Sequence, residues 1–277
     1  MYVERPAGVS IWRRVGCVVL LLVVGVSLAA SWLAPAGYAK QYRESPGAPP
    51  SREHWLGTDE IGRDRFARVV YGTRISLLLA PAAALVSTLM AAFMGGLAGY
   101  LGGTWERLAM AATDVFLSLP WLFLLITVRA LLPLNVSPIL SVLVTFCMLG
   151  LLGWTAAARV LCATAGSLRS ADFIRQARAS GMSERRLFWI HVFPNLKPVL
   201  FAQFWISIPT FILSEANLGI LGLGVAEPMP SWGGLLKELE GLVSLREEPW
   251  KFVPLLLLVV VVTSFQVMLS DQQEVNA

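Results

Sequence analysis

The stretch Ser170–Pro194, SADFIRQARASGMSERRLFWIHVFP, decides how the rest of the chain is read. It is a charged, helix-prone island between two long apolar runs. Together with Arg169 just before it, it carries Arg175, Arg178, Arg185 and Arg186 against only Asp172 and Glu184. Ala171, Phe173, Ile174, Ala177 and Ala179 punctuate a first short helix. Gly181 breaks it, Ser183-Glu184 starts a second, and Pro194 is expected to stop that one. A helical hairpin this polar cannot cross hydrocarbon, so it lies on a membrane surface, within reach of something soluble.

The flanks supply the membrane. Of 277 residues, 56% are hydrophobic and 14% are charged, with a mean hydropathy of +0.66. A soluble domain carries about 25% charged residues, and the deficit here sits in runs long enough to span a bilayer. The expected spans are Val15–Leu33, Ile75–Leu101, Leu108–Leu132, Ile139–Cys162, Leu196–Leu213 and Phe252–Leu269. The fold class is therefore all-α, a polytopic membrane protein of six transmembrane helices with one charged hairpin. Arg5, Arg13 and Arg14 precede the first span, and the island holds the clearest basic excess, so both are expected on the cytoplasmic side, along with the C-terminus. The chain then reads as one transmembrane domain, residues 1–277. It has a cytoplasmic N-terminus (1–14), outer loops at 35–74 and 214–251 with a tight outer turn at 134–138, and the cytoplasmic loop at 164–195. Pro81 predicts a kink in the second span, and Pro120 interrupts the third. Gly95, Gly96 and Gly99 suit close helix packing. Asp114 and Arg129 read as a carboxylate near the inner surface and an arginine snorkelling outward.

A net charge of +4 is too small to argue for nucleic acid. Cys17, Cys147 and Cys162 lie in apolar runs without ligand spacing, so no disulfide or metal site is expected. No Gly-Lys pair exists for a GxxxxGK[ST] phosphate loop, and there is no HExxH or GxSxG. The two histidines, His54 and His191, fall on opposite predicted sides of the membrane. Catalytic and metal assignments are accordingly none, and any ATP must bind elsewhere. A channel or embedded enzyme working alone would need clustered ionisable groups within the spans. Asp114, Arg129, Arg159 and Glu215 are instead scattered near span ends.

The first outer loop contains His54-Trp55-Leu56-Gly57-Thr58-Asp59-Glu60-Ile61-Gly62-Arg63-Asp64, followed by Arg68, Tyr71-Gly72 and Arg74-Ile75-Ser76. Thr58 is expected to cap an amphipathic helix with Ile61 and Phe66 on one face. The second outer loop opens on Glu215-Ala216, then Leu221-Gly222-Leu223-Gly224, Pro228-Met229-Pro230 and Ser231-Trp232-Gly233. Its glycines read as turns, and Glu215 reads as either a gate or pathway residue or a packed cap.

Two resemblances follow. The island is similar to the loop with which membrane subunits of bacterial ATP-binding-cassette importers grip their ATPases. That motif runs acid, two alanines, three variable residues and glycine, then an apolar residue and a proline. Ala177, Gly181, Ile190 and Phe193-Pro194 match it, while Arg175 stands in place of the acid and Gln176 in place of the first alanine. The 54–76 block looks very like the HxLGTDxxGRDxxxRxxYGxRxSL signature of one permease of the dipeptide, oligopeptide and nickel importers, and the 215–233 tail is similar to theirs.

The resemblance implies a type I importer permease fold in a bacterial cytoplasmic (inner) membrane. It implies a second homologous permease, two cytoplasmic ATP-binding subunits holding ATP and magnesium, and an extracytoplasmic substrate-binding protein. Peptides are the first expected substrate, with nickel or another small solute as the alternative. Phe173, Ile174, Arg175, Ala177, Arg178, Gly181 and Met182 are implied as the ATPase-coupling residues. Gly57, Thr58, Asp59, Gly62, Arg63 and Asp64 are implied as a structural outer element.

Overall fold

The computed structural model describes the backbone of residues 7–34, 36–133, 136–239 and 248–274. The predicted turn at 134–138, the start of the N-terminal segment and the end of the second outer loop lie partly outside these residues. The helices, in chain order, are α1 (Ala7–Leu28), α2 (Ala30–Leu33), α3 (Arg65–Ala91), α4 (Leu97–Leu101), α5 (Gly103–Ser118), α6 (Trp121–Leu131) and α7 (Pro138–Leu152). They continue with α8 (Thr155–Arg169), α9 (Asp172–Ala179), α10 (Glu184–Leu187), α11 (Phe193–Ile220), α12 (Trp232–Lys237) and α13 (Val253–Glu274). Among the described residues β-pairing is limited to the isolated bridges Gln41–Arg63 and Thr58–Asp64.

Five stretches are long and apolar enough to cross a membrane: Ile11–Leu28, Arg65–Leu101, Pro138–Arg169, Glu184–Ile220 and Pro249–Leu269. The pair α5–α6 passes the same test only when its two helices are taken together, and it is bent by 89°. The sequence places the bend. Pro120 bars αR backbone at the residue before it, and Leu119 is extended, with φ −84° and ψ 132°. The count is thus five, or the predicted six where α5–α6 crosses as one broken span.

Proline is less decisive elsewhere. Pro81 lies inside α3, which continues past it, and the departure from α geometry comes later, in a π turn over Ala92–Gly96. Pro194 does not stop the second hairpin helix. α10 runs through a π turn, Phe188–Val192, directly into α11, with Pro194 as its second residue. The Phe193 N–H reaches back five residues to the Phe188 carbonyl. This wider turn accommodates a residue that has no N–H to offer. The fifth span therefore begins at the hairpin itself.

The chain forms two compact units. One comprises residues 1–80, 132–145 and 212–277; the other comprises 81–131 and 146–211. In the first, α1 packs along α13, with Gly16 against the Ser264 backbone. In the second, Gly95 and Gly99 of the second span meet α8, while Gly96 faces the Leu196 side chain. A methyl on Gly95 would lie 2.0 Å from the Ala158 carbonyl oxygen, and one on Gly99 would lie 2.2 Å from that of Cys162. Only glycine lets these two backbones touch. Arg159 on α8 pairs with Asp114 on α5. Arg129 does not snorkel as predicted but is buried, at 1% exposure.

Candidate functional site

The hairpin belongs to the second unit. α9 is a short amphipathic helix with Ile174 as its buried anchor. Ile174, Leu187, Val192 and Leu196 share a core with Tyr100, Trp154 and Leu161, and Ala177, Met182 and Phe188 pack against it. Burying these side chains seats the hairpin on the end of its own spans, each contributing about 1.5–3 kcal/mol. Gly181 has φ +81°, a left-handed turn that closes the Met182 N–H onto the Ala177 carbonyl at 3.2 Å.

Ile174, Ala177 and Met182 therefore face the protein's own core, and Gly181 shapes the turn. Phe173, Arg175 and Arg178 are exposed. Arg175 pairs with Asp172 one turn earlier. Arg178 spans the turn to Glu184, with Nε at 2.7 Å from Oε1 and Nη2 at 3.1 Å from Oε2. Glu184 also accepts the Tyr100 hydroxyl at 2.6 Å. One carboxylate thus ties both hairpin helices to the end of α4. The hydrogen bond to Glu184 holds the Arg178 guanidinium above its ordinary pKa. Sequence reading did not single out Tyr100, and it read Glu184 only as a helix start, although Glu184 is one of only two acids in the island.

The signature block builds a second feature, in the first unit. Its residues 54–64 are not helical, α3 begins only at Arg65, and Thr58 is not an N-cap. The Thr58 hydroxyl instead donates to the Ser45 carbonyl and accepts the Ala48 N–H at 2.8 Å. Ile61 is exposed, while Phe66 lies against Trp55 with ring centroids 4.9 Å apart. The cap of α3 is Asp64, whose Oδ1 accepts the Ala67 N–H at 3.0 Å and whose Oδ2 meets His54 Nδ1 at 2.8 Å. Gly57 and Gly62 hold φ +71° and +82°. A methyl on either would lie 2.3 Å from a carbonyl oxygen, Ala48 for Gly57 and Tyr42 for Gly62. Only glycine fits there.

Asp59 is the centre of this fold of chain. Its Oδ1 accepts the N–H groups of Ile61 and Arg63 at 3.1 and 2.8 Å, and its Oδ2 accepts Arg63 Nε at 2.6 Å. Arg68, fully buried on α3, stands 3.8 Å from Oδ2. Arg63 and Arg68 then both reach Glu227 in the 221–231 turn, Arg68 Nη2 at 2.8 Å from Oε1. Arg65 pairs with Glu238. Partial burial opposes ionisation of Glu227, but hydrogen bonds and charge from Arg68 and Arg63 outweigh it and hold the carboxyl below its ordinary value. Burial likewise disfavours the Arg63 cation, and Asp59 and Glu227 reverse that. The clasp joins segments over 150 residues apart in sequence, which is why Glu227 and Glu238 could not be found from local pattern.

Glu215 lies within α11, not at its end, and is fully buried. Its Oε2 accepts Ser76 Oγ at 3.3 Å. Ser231 and Gly233 lie beside the carboxylate, and Oε1 has no hydrogen-bond partner among the described residues. Ser76 Oγ also takes the Trp232 N–H at 3.2 Å, and Trp232 Nε1 donates to Thr73 at 3.0 Å. Gly219 and Gly233 meet backbone to backbone at this node. This node pins α12 to α3 and α11. Among the described residues no cluster of His, Cys, Asp or Glu could hold a metal ion.

Residues 87–271 match the family described as binding-protein-dependent transport system inner membrane component. The chain is 29% identical to the oligopeptide transport system permease protein OppC of Bacillus subtilis over 237 residues, 86% of this chain and 75% of the relative. It is 30% identical to the dipeptide transport system permease protein DppC of the same organism, with the same coverage. It is 31% identical to DppC of Alkalihalophilus pseudofirmus, over 89% of this chain and 83% of the relative. The spans, the broken third helix, the seated hairpin and this family match agree: the chain is a multi-pass membrane protein that belongs to the inner membrane components of binding-protein-dependent transport systems.

Proposed function

We propose that this chain is a permease subunit of an ATP-driven importer of di- or oligopeptides. The observation that carries the reading is the hairpin. It is an amphipathic helix fixed to the span ends by its own core and by Glu184, presenting Phe173, Arg175 and Gln176 outward. A surface helix mounted this rigidly transmits a push without bending. Two cytoplasmic ATPases, carrying the ATP and magnesium, dock on this hairpin and on that of a second, homologous permease. Closure of the ATPases moves the hairpins and exposes the path alternately to the two sides. An external binding protein delivers the substrate, with both termini of this chain in the cytoplasm. The peptide assignment rests on the names of the relatives, which are oligopeptide and dipeptide permeases.

The test is Arg175→Glu with Phe173→Ala, followed by gentle solubilisation and mass spectrometry of copurifying proteins. Both side chains are exposed, and Arg175 loses only a surface pair, so the fold survives. Loss of the ATPases from an otherwise intact permease pair is expected. Undiminished recovery of ATPases, or recovery of the chain alone with full transport activity, would overturn the reading.

A further inference from the structure

We infer that the start of the fifth span carries a binding site for an anionic phospholipid, with its headgroup on Arg185 and Arg186 and its acyl region on Trp189 and Ile190. Both acids of the hairpin are already used. Arg175 is paired with Asp172, and Arg178 with Glu184. Arg185 and Arg186, on α10, are exposed and make no ion pair or side-chain hydrogen bond among the described residues. Arg185 and Arg186 are consecutive in α10, and each guanidinium can offer paired N–H groups to a phosphodiester.

The side chains four residues further along settle the kind of anion. Trp189 follows Arg185, and Ile190 follows Arg186, both on the π turn and exposed, at 56% and 49%. Trp189 stacks edge-on against Phe193 at 5.1 Å, and the Lys197 ammonium sits 5.4 Å above the Phe193 ring. The order along the helix is therefore Arg185 and Arg186, then the aromatic and aliphatic surface of Trp189 and Ile190, then Lys197 about two turns further, at the end of a membrane-crossing stretch. A water-soluble anion has no use for the apolar part. An acidic face of a docked protein would meet the arginines but would leave Trp189 and Ile190 against lipid. A lipid with a negative headgroup satisfies both halves, and tryptophan is the side chain best suited to that depth. The site goes beyond the importer reading and requires only that α10–α11 spans the membrane.

The experiment uses the full-length protein in vesicles of phosphatidylcholine containing increasing brominated phosphatidylglycerol or, in parallel, brominated phosphatidylcholine. The readout is the quenching lost on Trp189→Phe, which isolates the Trp189 signal. The phosphatidylglycerol form is expected to quench at lower mole fraction, with the preference falling as salt rises. Each arginine near an anionic surface supplies about fivefold, so Arg185→Gln/Arg186→Gln lowers the preference by roughly 25-fold. Arg175→Gln, whose cation is already paired, leaves it unchanged. Equal quenching by both lipids in the unsubstituted protein overturns the proposal. So does a lipid preference that survives in Arg185→Gln/Arg186→Gln while a copurifying soluble subunit is lost, because the arginines then belong to a protein contact. Melting temperature of the double variant checks that the fold is kept.

Discussion

Asp59 and Glu227 occupy the same clasp at very different depths, and substituting each by its amide separates burial from mere pairing. Asp59 is 4% exposed. An asparagine there keeps a carbonyl for the Ile61 and Arg63 N–H groups on the Oδ1 side. Its NH2 then faces Arg63 Nε at the present 2.6 Å, donor against donor, with buried Arg68 alongside. Removing one partner from a buried charged group costs about 3–5 kcal/mol. At about 2–4 °C per kcal/mol for a chain near this size, Asp59→Asn should lower the melting temperature by on the order of 10 °C. The Glu227 side chain is 57% exposed and can trade its arginines for water. Solvent screening limits that loss to about 1 kcal/mol or less, so Glu227→Gln should cost no more than about 2–4 °C. The assay is thermal unfolding of the purified protein in detergent, followed by tryptophan fluorescence at low and high salt. Salt should shrink the Glu227→Gln effect and leave most of the Asp59→Asn effect. Equal shifts for the two variants, or an Asp59→Asn effect abolished by salt, would refute the assignment of Asp59 as the buried centre of the clasp.

The pH dependence of Glu227 has a definite sign. Its folded value lies below the ordinary 4.5, so the unfolded chain binds the proton first. Its contribution is complete above the unfolded value and is lost as pH falls through the folded one, a decline that Glu227→Gln should remove from a melting-temperature profile taken from pH 6 downward. Gly99→Ala places a methyl 2.2 Å from a backbone oxygen that cannot rotate away. Overpacking of this kind costs about 1–3 kcal/mol, and the melting temperature should fall accordingly. Gly181→Ala meets no neighbouring atom but must hold φ +81°. About 1–2 kcal/mol of backbone cost should appear as faster amide exchange over residues 172–182, less so for Gly181→Asn. Glu184→Gln removes the charge that orders Arg178 and Tyr100. It should leave the ATPases bound but lower transport per ATP hydrolysed, and an unchanged ratio would count against a rigid hairpin.

The amino-acid sequence by itself determined the membrane class, the six apolar stretches, the charged hairpin and its glycine turn. These are properties of composition and local spacing: a run of about 20 apolar residues has few alternatives to a span, and a glycine after a short helix has few alternatives to a left-handed turn. It also marked the hairpin and the first outer loop as candidate segments. Tertiary structure decided what local pattern cannot contain. Pro194 reads as a stop, but the π turn before it absorbs the missing N–H and the helix runs on. Thr58 reads as a cap, but Ser45 and Ala48 take its hydroxyl, and Asp64 caps α3 instead. Ile174, Ala177 and Met182 read with Phe173 and Arg175 as one surface, and burial divides them into those that seat the hairpin and those that face outward. Glu227, Glu238 and Ser76 become partners of Arg63, Arg65 and Glu215 only when segments over 130 residues apart meet. Charge pairing acts across space, whereas helix propensity and hydropathy act along the chain, so the second set of facts could be read from the sequence and the first could not.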